Sequence, residues 1–248
     1  MCHYAMVNNI RGIVLLIMNS KTFTIIVIAV IILFAGALFL FGGDSVRSIP
    51  LPGGPHALPA VEVRAYQGND LSSINDFREN SIRGPQYVNT TDYRLTVTGL
   101  TNKTDVYTYQ EILTKYPHYT KIVTLFCVEG WDATILWEGV QVRDLIREAG
   151  IDPRANTVIF TARDGYTTSF PLDYLMDHDI LMAYKMNTVT LPAERGYPFQ
   201  LVAQDKWGYK WIKWIEKIQL TDDPAYRGYW EQRGYSNTGD LEKDFFSN

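Results

Sequence analysis

The chain has 248 residues, of which 46% are hydrophobic and 20% charged, a composition typical of a globular protein that builds one large domain or two small ones. Its formal net charge of −4 gives no indication of a nucleic-acid partner, and its two cysteines, Cys2 and Cys127, exclude a framework of several disulfides. The four histidines match no zinc-site spacing, and the sequence contains no Walker or dinucleotide-binding glycine motif.

An uncharged, strongly apolar run covers residues 22–43 and follows an N-terminal segment, residues 1–21. Its length matches the roughly 20 residues that cross a bilayer, so we predict a transmembrane anchor or signal anchor. A cleaved signal peptide is the alternative, but its apolar core is usually only about 7 to 15 residues long and a small-residue cleavage site should follow. Arg11 and Lys21 precede the run and Asp44 follows it, which predicts a single-pass cell-membrane protein with its main domain on the extracytoplasmic side.

Residues 44–60 are rich in proline and glycine and are predicted to form a linker to a domain over residues 61–248. In that domain Thr108 and Glu111 form a capping box that opens a short helix, which Pro117 stops. A second, amphipathic helix is predicted over Val142–Ala149 and closed by a glycine.

Apolar and alternating segments predict the strands of the domain. They are Tyr93–Gly99, Thr120–Val128, Thr157–Ala162, Thr167–Phe170, Ile180–Met186, Phe199–Ala203 and Glu216–Leu220. Because the strands do not alternate regularly with helices, the sequence favours a mixed α+β domain over a doubly wound one.

Cys127 ends the apolar strand Thr120–Val128 and lies three residues before Gly130, where a strand can deliver a thiol to a turn. A thiolate there is a candidate soft-metal ligand or nucleophile. This stretch by itself favours a buried core residue instead, since free cysteine behaves as a small hydrophobe.

The run from Lys206 to Lys213 holds three lysines around Gly208. Lysine suits an anionic group and glycine allows close approach to the backbone, so the run could bind a phosphate. A solvated basic strand edge explains the composition equally well.

Two other groups of polar residues have a functional and a structural interpretation. The acidic residues around His178 could relay protons, but their polar surroundings favour a solvated surface. Tyr209 and Tyr235 could line a substrate pocket or could pack in the interior.

An ordered set of segments resembles the sulfite oxidase fold family of molybdopterin-dependent oxidoreductases. The resemblance runs from about residue 75 to residue 239. It is carried by residues 75–81 (NDFRENS), 126–131 (FCVEGW), 137–140 (WEGV), 163–172 (with RDGY and SFPL), 183–187 (AYKMN), 196–198 (GYP), 207–213 (WGYKWIK), and 228–231 with 234–235 (GYWE, GY).

This resemblance implies a mixed β-sheet domain of the molybdopterin-binding fold and a molybdenum-molybdopterin cofactor, with Cys127 as the metal ligand and catalytic residue. It implies two-electron oxygen-atom transfer on a small, sulfur-containing substrate, and a separate electron-transfer partner such as a membrane cytochrome or quinone-linked protein. The implied cofactor-binding residues are Asn75, Arg78, Glu79, Asn80, Arg195, Gln200, Lys206, Gly208, Lys210, Trp211, Ile212 and Lys213.

The chain also departs from the family pattern. Arg195 stands where the family often has His or Asn, Gln200 stands where it has an arginine, and Ala162 replaces a polar residue. These departures have two explanations. Arg195 could supply the guanidinium that is missing at position 200 and so keep the anion site. Alternatively, the chain could have lost the cofactor and be a membrane-tethered binding module. Arg163 and Arg195 pointing at the metal would favour an anionic substrate, and an aromatic, uncharged mouth would favour a neutral sulfoxide. Because the sequence has no twin-arginine motif, a topology in which the domain faces the cytoplasm remains an alternative.

Overall fold

The computed structural model describes residues 61–246, which belong to one compact unit. The predicted N-terminal segment, membrane anchor and linker, residues 1–60, lie outside the described residues and stay predictions. Within residues 61–246, no helix combines the length and the apolar character that crossing a bilayer requires.

Short strands and a few short helices make up the domain. In chain order they are β1 (Ala65–Tyr66), β2 (Asn69–Asp70), β3 (Leu95–Gly99), β4 (Asp105–Tyr107), α1 (Tyr109–Lys115), β5 (Tyr119–Phe126), β6 (Asp132–Gln141), α2 (Val142–Ala149), β7 (Thr157–Ala162), β8 (Thr167–Pro171), α3 (Leu172–Asp177), β9 (Leu181–Met186), β10 (Val189–Thr190), β11 (Gln200–Val202) and β12 (Ile215–Thr221).

A long antiparallel hairpin of β5 and β6 is the base of the first sheet. Its register runs from Tyr119 opposite Gly139 to Phe126 opposite Asp132. β9 pairs with the other edge of β6, and both β10 and β11 pair with β9. A β-carbon on Gly139 would lie 2.4 Å from the carbonyl oxygen of Met182, so only glycine allows β6 and β9 to approach at their register shift.

The second sheet has the order β4-β3-β12-β7-β8, in which β12 pairs parallel with β3 and every other pairing is antiparallel. Side chains from both sheets join one hydrophobic core, among them Trp137 of β6 and Phe160 of β7, each fully buried. Helix α2 covers this core with its apolar face, through Leu145 and Ile146.

The predicted mixed α+β class is confirmed, and both predicted helices are present. At α1 the Glu111 amide donates to Thr108 Oγ1 (3.2 Å) and the Thr108 amide donates to Glu111 Oε2 (2.7 Å), which is the predicted capping box. Each predicted strand is present, with ends shifted by at most two residues. Strand β6, helix α3 and several two- or three-residue strands were not predicted.

Two ion pairs fasten the C-terminal segment to the run between Lys206 and Lys213. Lys210 is fully buried, and its Nζ donates to Glu231 Oε1 (2.7 Å) and to the carbonyl oxygens of Ser169 and Asn237. Lys206 Nζ pairs with Asp240 on the same segment. Both ammonium groups therefore serve contacts within the domain.

Replacing Lys210 by methionine is expected to lower the free energy of unfolding by about 3–5 kcal/mol, because Glu231 would stay buried without its cation. Urea denaturation measures the change. As a control, Lys243→Met removes an exposed cation and should cost less than about 1 kcal/mol. Equal losses in the two variants would contradict the prediction.

The pKa of Asp240 is about 2, because hydrogen bonds and charge from Lys206 outweigh the opposing effect of partial burial. Since this pKa lies below the ordinary value of 3.8, the carboxylate stabilises the fold above about pH 4, and the contribution is lost as pH falls towards 2. Wild type and Asp240→Asn should therefore differ most in urea midpoint near pH 6 and converge near pH 2. A difference that is constant across this range would show that the charge is not its source.

Candidate functional site

A cavity of about 380 Å³ opens where the ends of both sheets meet the loops of the domain. Its lining comes from stretches that are far apart in the sequence. They lie between residues 77 and 82, 125 and 131, 164 and 166, 194 and 200, 208 and 214, and 230 and 235. The volume falls in the range of sites for small molecules and cofactors.

Cys127 lies in this lining as the first residue after β5. Its amide donates to the carbonyl oxygen of Trp131 (2.9 Å), and its own carbonyl oxygen accepts from the amide of Gly130 (3.0 Å). Gly130 has φ +82°, a conformation that glycine adopts without a steric penalty. The β5–β6 hairpin thus fixes the backbone that carries the thiol.

The Cys127 thiol is buried, and burial raises its pKa. The backbone N–H of Glu129, the Asn80 amide and the charge of Arg78 act in the opposite direction. Asn80 Nδ2 donates to Cys127 Sγ at 3.6 Å. A metal that binds this sulfur must displace its proton, and these three groups favour the resulting thiolate against the effects of burial and of the Glu129 carboxylate.

Gly208 lies directly against the Cys127 turn. A β-carbon on Gly208 would lie 3.1 Å from the carbonyl oxygen of Phe126 and 3.4 Å from Cys127 Cα. On another part of the lining, Ser81 Oγ is buried and has no hydrogen-bond partner among the described residues. The lining therefore combines a soft thiol, a close backbone approach and an unused polar atom, and this donor set fits a metal-pterin group.

The charged side chains of the lining nearly balance one another. Its cations are Arg78, Arg195 and Lys213, and its carboxylates are Glu79, Glu129, Asp164 and Glu194. Lys213 Nζ donates to Glu79 Oε1 (2.8 Å), and the guanidinium of Arg195 donates to three main-chain carbonyl oxygens. The formal charge of this lining is therefore slightly negative.

Most residues that the sequence predicts for the site line this cavity. They are Cys127, Arg78, Glu79, Asn80, Arg195, Gln200, Gly208, Trp211, Ile212 and Lys213. The amides of Trp211 and Ile212 already donate to Gly208 and Lys210 within their own turn, so these residues contribute their side chains and shape to the lining.

Asn75, Lys206 and Lys210 do not belong to this lining. Asn75 is exposed, and the two lysines pair with carboxylates of the C-terminal segment. The positive field that the sequence predicted from Lys206 and Lys210 is not supported by these positions, because Asp240 and Glu231 neutralise them.

Arg163, a candidate cation for the site, pairs with Glu216 (2.9 Å) and is outside the lining. His178 is exposed, and Asp179 pairs with Arg143 at the surface, which confirms the surface interpretation of that acidic segment. Residues 61–246 contain no group of three or more His, Cys, Asp or Glu side chains that could by themselves hold a metal ion.

Several lining residues escaped prediction. Asp164 is buried in the lining, and it was noted, like Trp131 and Trp230, only as part of the resemblance. Tyr209 and Tyr235 pack edge to face at 5.1 Å and also line the cavity, so they satisfy both interpretations. Aromatic enrichment of the motif segments was the only signal in the sequence for this part of the wall.

Comparison with known proteins agrees with this site. Residues 82–230 match the family described as oxidoreductase molybdopterin binding domain. The uncharacterized oxidoreductase YuiH of Bacillus subtilis is 32% identical over 157 residues, 63% of this chain and 78% of that protein. The protein-methionine-sulfoxide reductase catalytic subunit MsrP of Gluconobacter oxydans is 29% identical over 213 residues, 69% of this chain and 68% of that protein.

Among solved structures, the sulfane dehydrogenase SoxCD of Paracoccus pantotrophus has a TM-score of 0.58 at 22% identity. The match covers 79% of this chain and 58% of that one, and it shows a shared fold. The family match covers more than half of the chain and includes the Cys127 turn and most of the cavity lining. The chain therefore belongs to the oxidoreductase molybdopterin binding domain family and is a molybdenum-pterin oxidoreductase.

Proposed function

We propose that this protein catalyses two-electron oxygen-atom transfer on a small, sulfur-containing substrate, with Cys127 as the protein ligand of molybdenum. The observation that carries this proposal is the buried thiol of Cys127, held by a tight turn at the wall of the cavity. Thiolate sulfur is a soft donor that suits a redox-active metal. Gly208 packs against the backbone of this turn.

The molybdenum-pterin group supplies the two-electron redox chemistry when it is bound. The protein's part is to hold and orient that group and to keep water away from it. Arg78 would place a cationic group beside an anionic cofactor, and Ser81 Oγ would offer it a hydrogen-bonding atom. Trp131 and Trp230 give the lining an apolar, aromatic part.

The charges of the lining favour an uncharged substrate over an oxyanion. A small dianion such as sulfite needs several cations that converge on it. Arg163 is outside the lining, the guanidinium of Arg195 is used by carbonyl oxygens, and Lys213 is paired with Glu79. An uncharged sulfoxide, which this protein would reduce, makes no such demand on the site.

A two-electron reaction at this site needs an electron donor, and we propose that a separate protein provides it. The Gluconobacter relative is named as a catalytic subunit, which implies a second subunit in that system. The apolar run of residues 22–43 would hold the domain at a membrane, where a cytochrome or quinone-linked partner could reach it.

Metal and pterin analysis tests the ligand assignment. Wild-type protein from a host that makes the cofactor should contain both molybdenum and pterin. Cys127→Ser should lose most of the metal and the charge-transfer absorption from the cysteine sulfur to molybdenum, because a hydroxyl is a harder and less acidic donor. Cys2→Ser is the matched control and should match the wild type.

Fully folded wild-type protein without molybdenum or pterin would contradict the proposal. In that case the alternative would gain support, a binding module that kept the fold and lost the cofactor. Circular dichroism of each variant shows whether a loss of metal reflects a loss of folding.

Steady-state kinetics test the substrate class. With a reduced dye as electron donor for dimethyl sulfoxide and an oxidised dye as electron acceptor for sulfite, kcat/KM for sulfoxide reduction should exceed kcat/KM for sulfite oxidation at least about tenfold, which corresponds to about 1.4 kcal/mol of discrimination. Glu129→Gln removes one carboxylate from the lining and should raise the sulfite value more than the sulfoxide value. Faster turnover of sulfite than of sulfoxide by the wild type would overturn the assignment.

A further inference from the structure

One wall of the cavity, residues 77–82, lies in a stretch without helix or strand between β2 and β3. No ladder of backbone hydrogen bonds fixes this wall, so side-chain contacts must set its position. The wall carries Arg78, Glu79, Asn80 and Ser81, which face the cavity. The position of these four residues relative to Cys127 therefore depends on the groups that hold the wall's backbone.

Arg195 makes the most extensive of these contacts. Its Nε donates to the carbonyl oxygen of Ile74 (3.1 Å), one terminal nitrogen donates to that of Phe77 (2.6 Å), and the other donates to that of Arg78 (3.2 Å). Its guanidinium carbon also lies 4.7 Å from the centre of the Phe77 ring. The side chain is nearly buried, at 9% exposure. A planar guanidinium can reach three carbonyl oxygens at once, whereas a lysine ammonium cannot match this fork.

The turn that carries Arg195 is itself fixed to the domain. Trp214 Nε1 donates to the carbonyl oxygen of Ala193 (2.7 Å). Gly196 has φ +98°, and a β-carbon there would lie 3.0 Å from Cβ of both Gln200 and Lys213. The turn that carries the guanidinium is therefore tightly packed against Gln200 and Lys213.

We call the hydrogen bonds from Arg195 to residues 74–78 the clamp. Contacts of Lys213 and Asn80 show what the clamp achieves. Lys213 Nζ donates to Glu79 Oε1 and to the carbonyl oxygen of Glu194, which ties the wall to the Arg195 turn a second time. Beyond these ties, Asn80 Nδ2 reaches Cys127 Sγ at 3.6 Å. An amide donor on a metal-bound thiolate withdraws electron density from the sulfur, so its distance affects the electronic state of the metal.

We propose that Arg195 is a positioning residue, whose guanidinium holds the main chain of residues 74–78 and thereby sets the Asn80 amide against the sulfur of Cys127. The role of that contact at the metal rests on the proposed function, whereas the clamp itself does not. In this chain the arginine before Gly196 acts on the protein's own backbone.

Hydrogen exchange of the cofactor-free full chain tests the clamp. Arg195→Lys keeps the charge, but its single ammonium nitrogen cannot replace the three separate guanidinium nitrogens that contact the three carbonyl oxygens. Amides of residues 74–81 should therefore exchange about tenfold faster or more. Alkylation of Cys127 should accelerate as well, because this wall covers the thiol. Arg154→Lys, which alters an exposed arginine paired with Asp152, is the matched control and should change neither rate.

Unchanged exchange in residues 74–81 of Arg195→Lys would overturn the clamp. So would faster exchange spread evenly over the domain, because that pattern shows only a general loss of stability. Arg195→Gln keeps two donors but no charge. It should accelerate exchange in the same residues as Arg195→Lys does, with a larger effect.

Electron paramagnetic resonance of the molybdenum(V) state tests the effect on the metal. Arg195→Lys and Asn80→Ala should shift the signal in the same direction, and Arg154→Lys should leave it unchanged. A wild type with molybdenum whose signal neither variant alters would overturn this inference and leave the proposed function standing. A wild type without molybdenum would overturn the proposed function, and hydrogen exchange would still decide the clamp.

Discussion

The antiparallel pairing of β5 with β6 is the constraint on which the site depends. Eight consecutive residue pairs hold β5 in register, and the strand ends one residue before Cys127. The turn that follows satisfies both backbone polar groups of the cysteine within five residues. A shift of one residue in this hairpin would turn every side chain of β5 to the opposite face. The register of the hairpin therefore also determines the position of the thiol.

The other parts of the site are brought to this fixed point by different kinds of contact. The run that carries Gly208 packs against the Cys127 turn because glycine has no side chain to separate them. The wall at residues 77–82 is held through carbonyl oxygens and one ion pair. The site therefore combines a thiol placed by a regular hairpin with an irregular wall whose position depends on a few polar side chains.

The sequence predicted those elements whose signals are local. The capping box of α1, the apolar face of α2 and the short strands β7 and β8 each follow from residues within one element. Strand β6 lacked such a signal, because both of its faces are largely buried and it mixes Thr, Trp, Glu and Gly without alternation. Its place in the sheet is decided by its two neighbours, which the local pattern does not reveal.

The same distinction explains the site. Cys127 and Gly208 could be predicted because motif and residue type both point to a ligand site. Lys206 and Lys210 looked equally suitable, yet their partners Asp240 and Glu231 lie 34 and 21 residues further along the chain. Arg195 reaches back more than a hundred residues to its carbonyl acceptors. Pairings over such separations are created by the tertiary fold, so residue type alone could not distinguish a cofactor-facing cation from a structural one.

The lining of the cavity is drawn from six stretches of the chain between residue 77 and residue 235. A molecule that fills it touches segments that are far apart in the sequence, and so acts as a non-covalent cross-link among them. By mass action, such a molecule stabilises the folded domain by a free energy that grows with the logarithm of its concentration relative to its dissociation constant. Cofactor supply in the cell would then influence the lifetime of this protein as well as its activity.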